Sequence, residues 1–209
     1  MTDAGRLSMP LGEAIRTQRA IRRFKPDPIP DADMREILEA AIKAPSGGNR
    51  QPWRFLVVRD TELRRKVGAL YREAWWAKRK DEGIFGPEGF SPDDRVARSA
   101  MRLADEMGDA PLILLACARA HGVRPMASVI PAVQNLLLAA RALGIGGTIT
   151  ALHPVIEERL YQLLGIPATA QVVYCIPLGY PRGQFGPTNR RPLEKVSAYD
   201  HWDGSLPWA

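Results

Sequence analysis

The sequence predicts an α+β fold. Helical periodicity recurs in more segments than strand patterning does, and the two do not follow the strict alternation that a doubly wound parallel sheet requires. A third observation sets the scale. The chain has 209 residues, 45% of them hydrophobic and 25% charged. Those are the proportions of one globular domain, able to bury about 70% of its unfolded surface without disulfides or a structural metal. A single domain over residues 1–209 is expected, with no internal repeat and no linker.

Helical spacing opens the chain at 11–20 and returns at 31–44. There Asp31 can cap, Met34, Ile37, Leu38, Ala41 and Ile42 share one face, and Pro45 stops the helix. Residues 55–58 read as a short buried strand, and Asp60 can cap a long helix running to about Lys80. The stretch 83–92 is broken by Gly83, Gly86, Pro87, Gly89 and Pro92 around Phe85 and Phe90, which suggests a lid; a helix follows at 93–107. Residues 111–118 form a second strand. The greasy segment 126–145 is about membrane-spanning length, but Gln134, Asn135 and Arg141 make it a core helix over 126–143. A glycine-rich turn, a strand near Thr148, a helix at 154–164 and a strand at 171–178 follow. After Tyr180 the prolines at 181, 187, 192 and 207 make residues 181–209 an arm.

Cys117 and Cys175 each sit inside an apolar run and read as buried thiols of a cytoplasmic protein. Residues 1–10 hold no apolar core of a signal peptide, so no targeting segment and no membrane association are expected. The net charge of +6 favours anionic partners, leaving nucleic acid, phosphate esters and anionic cofactors open. Gly144-Ile145-Gly146 follows a helix and has Ile149 where a dinucleotide turn needs its third glycine. Phosphate loops ending in Lys-Ser or Lys-Thr and nucleophile elbows are absent from the sequence, and His121, His153 and His201 lack metal-ligand spacing, so no metal is expected. An enzyme of this composition has to borrow its reactivity from a cofactor.

Two segments carry chemistry. Arg16, Arg19, Arg22, Arg23 and Lys25 gather five positive charges at the end of the first predicted helix, where Arg19 and Arg22 would share a face. Such guanidinium groups can grip a phosphate through paired hydrogen bonds. Residues 44–53 then combine small residues that let backbone amides approach a flat ligand with the polar groups of Ser46, Asn49 and Gln51 beside Trp53.

These residues resemble the FMN-dependent nitroreductase family. Its first signature, Arg-Arg-Ser-x-Arg-x-Phe, is matched by Gln18-Arg19-Ala20-Ile21-Arg22-Arg23-Phe24, and its second, Pro-Ser-x-x-Asn-x-Gln-Pro-Trp, stands intact from Pro45 to Trp53. Further matches are Gln134 to Ala140 leading into Leu143 to Thr148, and Arg190-Arg191-Pro192-Leu193 after Gly179-Tyr180-Pro181. The resemblance implies a nitroreductase-like fold: a central, mostly antiparallel sheet flanked by helices, in an intertwined homodimer with an extended C-terminal arm. It also implies FMN as cofactor, NADH or NADPH as reductant, and ping-pong transfer through flavin N5 to a nitroaromatic, quinone or enone. No side chain need be catalytic.

The cofactor roles it implies are these. Arg19 and Arg190, with Arg191 beside them, hold the phosphate; Arg22 lies near the flavin pyrimidine edge. Pro45, Ser46, Gly47 and Asn49 reach the cofactor from the partner subunit, and the backbone of Thr148, Ile149 and Thr150 lies by N5 and O4. Gln134 and Asn135 either contact the flavin or satisfy neighbouring backbone. Gln18 and Ala20 depart from the signature, and each removes a polar contact. Tyr71, Trp75 and Trp76 read as packing residues, and Phe85 and Phe90 as the substrate gate. The family's deiodinase and flavin-dismantling branches stay open, and a basic nucleic-acid-binding protein is the alternative from another class.

Overall fold

The computed structural model describes residues 6–208. Residues 1–5 of the segment read above as lacking a signal, and the last residue of the arm, lie outside it. Six α-helices and four strands follow one another as α1 Leu11–Thr17, α2 Asp31–Ala41, β1 Trp53–Val58, α3 Thr61–Asp81, α4 Arg95–Glu106, β2 Leu112–Ala118, α5 Val123–Ala142, β3 Gly146–Gly147, α6 Glu157–Leu164 and β4 Gln171–Gly179. The strands make one antiparallel sheet in the order β1-β2-β4-β3.

The sheet has helices on both faces, so its central strand shows no polar alternation: all seven residues of β2 are buried. Period two still sorts them by side. Leu112, Leu114, Ala116 and Ala118 pack toward α2 and α5, with Met34, Ile37, Val133 and Leu136. Ile113, Leu115 and Cys117 face α3, α4 and α6, with Val67, Tyr71, Leu103 and Leu160. The long apolar helix α5 is thus a core helix, held against α2 and the sheet as its polar residues suggested.

Several boundaries differ from the sequence expectation, each for a local reason. α1 stops at Thr17 rather than 20, because Gln18 turns extended and Ile21 N–H donates to the Gly147 carbonyl at 3.0 Å. Tertiary backbone pairing therefore outcompetes helical propensity from residue 18 onward. Asp31 does not cap α2; Pro30 holds the cap position, and Asp31 pairs with Arg59 at 2.8 Å. Asp60 does cap α3, accepting from Leu63 N–H at 2.8 Å, and Asp94 caps α4 through Ala97 N–H. α5 begins at Val123, earlier than the apolar run suggested. The strand expected near Thr148 is two residues long, and Thr150 adds only an isolated bridge to Cys175.

Candidate functional site

The extended segment after α1 is where the first signature takes shape. Ala20 forms a parallel bridge to Gly147, and Phe24 an antiparallel one to Pro181. The run Arg19–Phe24 is therefore a strand-like strip along the end of the sheet, and its cations do not share a helical face. This corrects the helical placement of Arg19 and Arg22. The close approach needs glycine: a Cβ on Gly147 would stand 2.7 Å from Leu178 Cδ2 and 2.8 Å from the Pro177 carbonyl, and one on Gly146 would collide with Ile21.

Arg19 is exposed and Arg22 half-buried, the latter lining a cavity of about 440 Å3 together with Arg65 and Arg182. Among the described residues, Arg19, Arg22, Arg190 and Arg191 enter no salt bridge. The arm brings its arginines toward the same end of the molecule. Phe185 lies over the Arg141 guanidinium at 4.2 Å, and Thr188 N–H donates to the Arg16 carbonyl at 3.3 Å. Beyond that contact Arg190 and Arg191 are exposed, and Trp202 is 93% exposed.

Thr148 is buried beside the bridge, Ile149 is exposed, and the Thr150 hydroxyl donates to the Cys175 carbonyl at 2.5 Å. Tyr71 reaches this strip from α3. Burial pushes its hydroxyl up to about 12, while contact with Thr150 and the charges of Arg22 and Arg79 pull it back. Tyr71 and Trp75 are buried in the core, as the sequence spacing indicated. His153 is doubly satisfied: Nε2 lies 2.9 Å from Asp81 Oδ2, and Nδ1 accepts from Val155 N–H. That contact fastens the end of α3 to the segment following Thr150. Neither Arg79 nor His153 stood out in the sequence; their only signal was position, one before the break at 83–92 and one just past Thr150.

The second signature forms a separate group. Residues Gly47–Asn49 make a short 3-10 turn, with Gly48, Asn49 and Gln51 all at positive φ. Pro45, Gly47 and Asn49 are exposed and Ser46 half-buried; Gln51 N–H donates to Ser46 Oγ at 3.1 Å. Gly47 N–H reaches Ser128 Oγ near the start of α5, whereas the Gly147 strip follows its end, where Ile145 N–H donates to the Ala140 carbonyl. Twelve residues of helix put these two anchors about 18 Å apart. Within one chain the 47–49 turn and the segment carrying Gly147 are thus anchored at different ends of α5. Asn135 donates to the Ala40 carbonyl at 3.3 Å, the structural role weighed for it, and Gln134 is exposed on α5.

Phe90 and Phe85 diverge. Phe90 is half-buried, its ring centroid 5.7 Å from that of Trp75, whereas Phe85 is 75% exposed.

Residues 15–180 match the model of the Nitroreductase family, and the chain belongs to that family. A protein of Archaeoglobus fulgidus named for NADH dehydrogenase and NAD(P)H nitroreductase is 33% identical over 81% of this chain and 84% of its own length. An NADH dehydrogenase of Thermus thermophilus is 32% identical over 86% of this chain and 90% of its own. A 5,6-dimethylbenzimidazole synthase of Rhodospirillum rubrum matches at 30% identity, covering 79% of each chain. Among solved structures, an iodotyrosine deiodinase bound to FMN and 3-iodo-L-tyrosine superposes with a TM-score of 0.76, at 25% identity, over 92% of this chain and all of the other. The nitroreductase fold expected from the signatures is the fold observed.

Proposed function

We propose that the protein is an FMN-dependent oxidoreductase that takes reducing equivalents from NADH or NADPH and passes them to an electrophilic acceptor such as a nitroaromatic, quinone or enone. The observation that carries this reading is the Arg19–Phe24 strip: arginines without ion-pair partners, held by backbone pairing against Gly147 and the buried Thr148. That donor set suits a cofactor with a phosphate at one end and a planar, hydrogen-bonding ring system at the other. Glycines at 146 and 147 let the strip lie close against the sheet beside it.

When bound, FMN supplies the two-electron chemistry, so the chain need provide only binding and electrostatics. Arg19, with Arg190 or Arg191, holds the phosphate. Arg22 places positive charge where the ring gathers negative charge on reduction, and so favours the reduced form. Thr148, Ile149 and Thr150 offer backbone groups to the ring edge. Pro45, Ser46, Gly47 and Asn49 complete the site from a second copy of the chain, a reading that the separation of the two anchors along α5 supports. On this reading the protein is a cytoplasmic homodimer with two such sites.

The test is the absorption spectrum of the purified protein. A yellow preparation with about one noncovalent FMN per chain, bleached by NADH or NADPH and reoxidised by a nitroaromatic or quinone, is expected. A colourless protein that takes up no added FMN overturns the reading.

A further inference from the structure

Arg79 Nε is the one buried side-chain nitrogen or oxygen among the described residues that finds no hydrogen-bond partner. Buried polar groups are nearly always paired, and a charged donor left unpaired in a dry place is costly, so such an atom calls for a partner. The rest of the guanidinium is engaged: Nη1 holds Glu82 at 3.1 Å, and the group lies 5.3 Å from the Trp75 ring centroid. Trp75 itself carries Trp76 edge-on at 4.9 Å and Phe90 at 5.7 Å. A cation with an unused donor edge thus stands at the base of the 83–92 segment, against the buried Trp75 ring that carries the half-buried rings of Trp76 and Phe90.

Its position relates it to the candidate cofactor strip. Tyr71, on the same helix, feels the charges of both Arg79 and Arg22 and meets Thr150. Two residues past Arg79, Asp81 is bonded to His153. Ile84 N–H donates to the Arg79 carbonyl at 2.8 Å, so the start of the lid segment is tied to this residue.

We propose that Arg79 is a specificity-determining residue that anchors the carboxylate of an aromatic electron acceptor, with Trp76 and Phe90 beside its ring. A carboxylate binds a guanidinium through two adjacent N–H groups, and the Nε edge is the one Glu82 leaves vacant. Because Nε is sealed from solvent, the carboxylate arrives with a displacement of the segment tied to Arg79. The inference rests on the flavin reading above.

The experiment compares 4-nitrobenzoate with the neutral 4-nitrobenzamide on the flavin-loaded protein. Arg79→Met is expected to raise KM for nitrobenzoate by about tenfold to a hundredfold, the cost of one charge-assisted hydrogen bond, and to leave KM for nitrobenzamide and the FMN content unchanged. Glu82→Gln removes the neighbouring negative charge from a partly exposed position, and is expected to lower KM for nitrobenzoate alone. If Arg79→Met alters both acceptors alike, or neither, the proposal fails. Should the yellow protein reduce neither compound, calorimetric titration with benzoate decides: binding by the unsubstituted protein that Arg79→Met abolishes supports the anchor, and no binding overturns it. A preparation that takes up no FMN overturns the parent reading as well, whereas yellow protein without discrimination overturns this inference alone.

Discussion

Ile21 N–H donates to the Gly147 carbonyl at 3.0 Å, and this bond ties the first signature to the segment that carries Thr148 and Thr150. It holds a basic run extended, its backbone paired with Gly147. Gly147→Val is expected to break the arrangement, because its Cβ would meet Leu178 and the Pro177 carbonyl at under 3 Å. Overpacking of this kind costs about 1–3 kcal/mol. The checks are a lowered urea midpoint and a reduced flavin content in the same preparation; unchanged values for both would show that the strip can shift without loss.

Phe85 and Phe90 separate by measurement. Phe90 packs on Trp75, so Phe90→Ala is expected to cost about 1–2 kcal/mol in thermal or urea unfolding. Phe85 is largely in water, and Phe85→Ala is expected to change stability by less than about 0.5 kcal/mol. If Phe85 gates the acceptor, the same substitution changes KM for the acceptor while leaving that for NAD(P)H in place. Equal stability losses in the two variants would contradict the packing difference.

The arm divides at Thr188. Up to that residue it rests on its own chain, through Phe185 on Arg141 and Thr188 on α1; past it, Leu193, Val196, Trp202 and Trp208 are exposed. Two tryptophans buried at roughly 25 cal/mol per Å2 contribute several kcal/mol, enough to hold a dimer arm. A chain ending at Thr188 is therefore expected to fold, but to lose dimer content by sedimentation and bound FMN by absorbance. A dimeric, fully yellow truncation would make the tail dispensable and remove Arg190 and Arg191 from the cofactor site.

Alkaline pH is expected to destabilise the fold. Burial pushes the Cys175 thiol up to about 12 and Cys117 to about 11, from an ordinary value near 9. Between pH 9 and 11 the unfolded chain has lost protons that the folded chain keeps, so stability falls as pH rises, by up to ~1.4 kcal/mol per pH unit for each thiol. Urea midpoints at pH 8, 9 and 10 check this, and Cys175→Ala should flatten the decline. A profile equally steep in that variant would assign the loss to other groups.

Much of the fold was legible from residue pattern alone. The Asp60 cap, the burial of the helix around Gln134 and the burial of Tyr71 and Trp75 follow from short-range rules: spacing, capping and the cost of stranding polar groups in hydrocarbon. The family, too, could be read from the intact Pro45–Trp53 signature, because a glycine-rich loop of that composition is a local object. Tertiary structure decided the rest. Whether residues 18–24 coil or extend depends on Gly147, more than 120 positions away, whose carbonyl accepts from Ile21 N–H where a continued helix would have used a carbonyl four residues back. The unpaired Nε of Arg79 likewise depends on how the end of α3 packs with Trp75 and with the segment that begins at Ile84. No periodicity encodes that arrangement, since it arises from long-range packing and from which buried donors that packing leaves without acceptors.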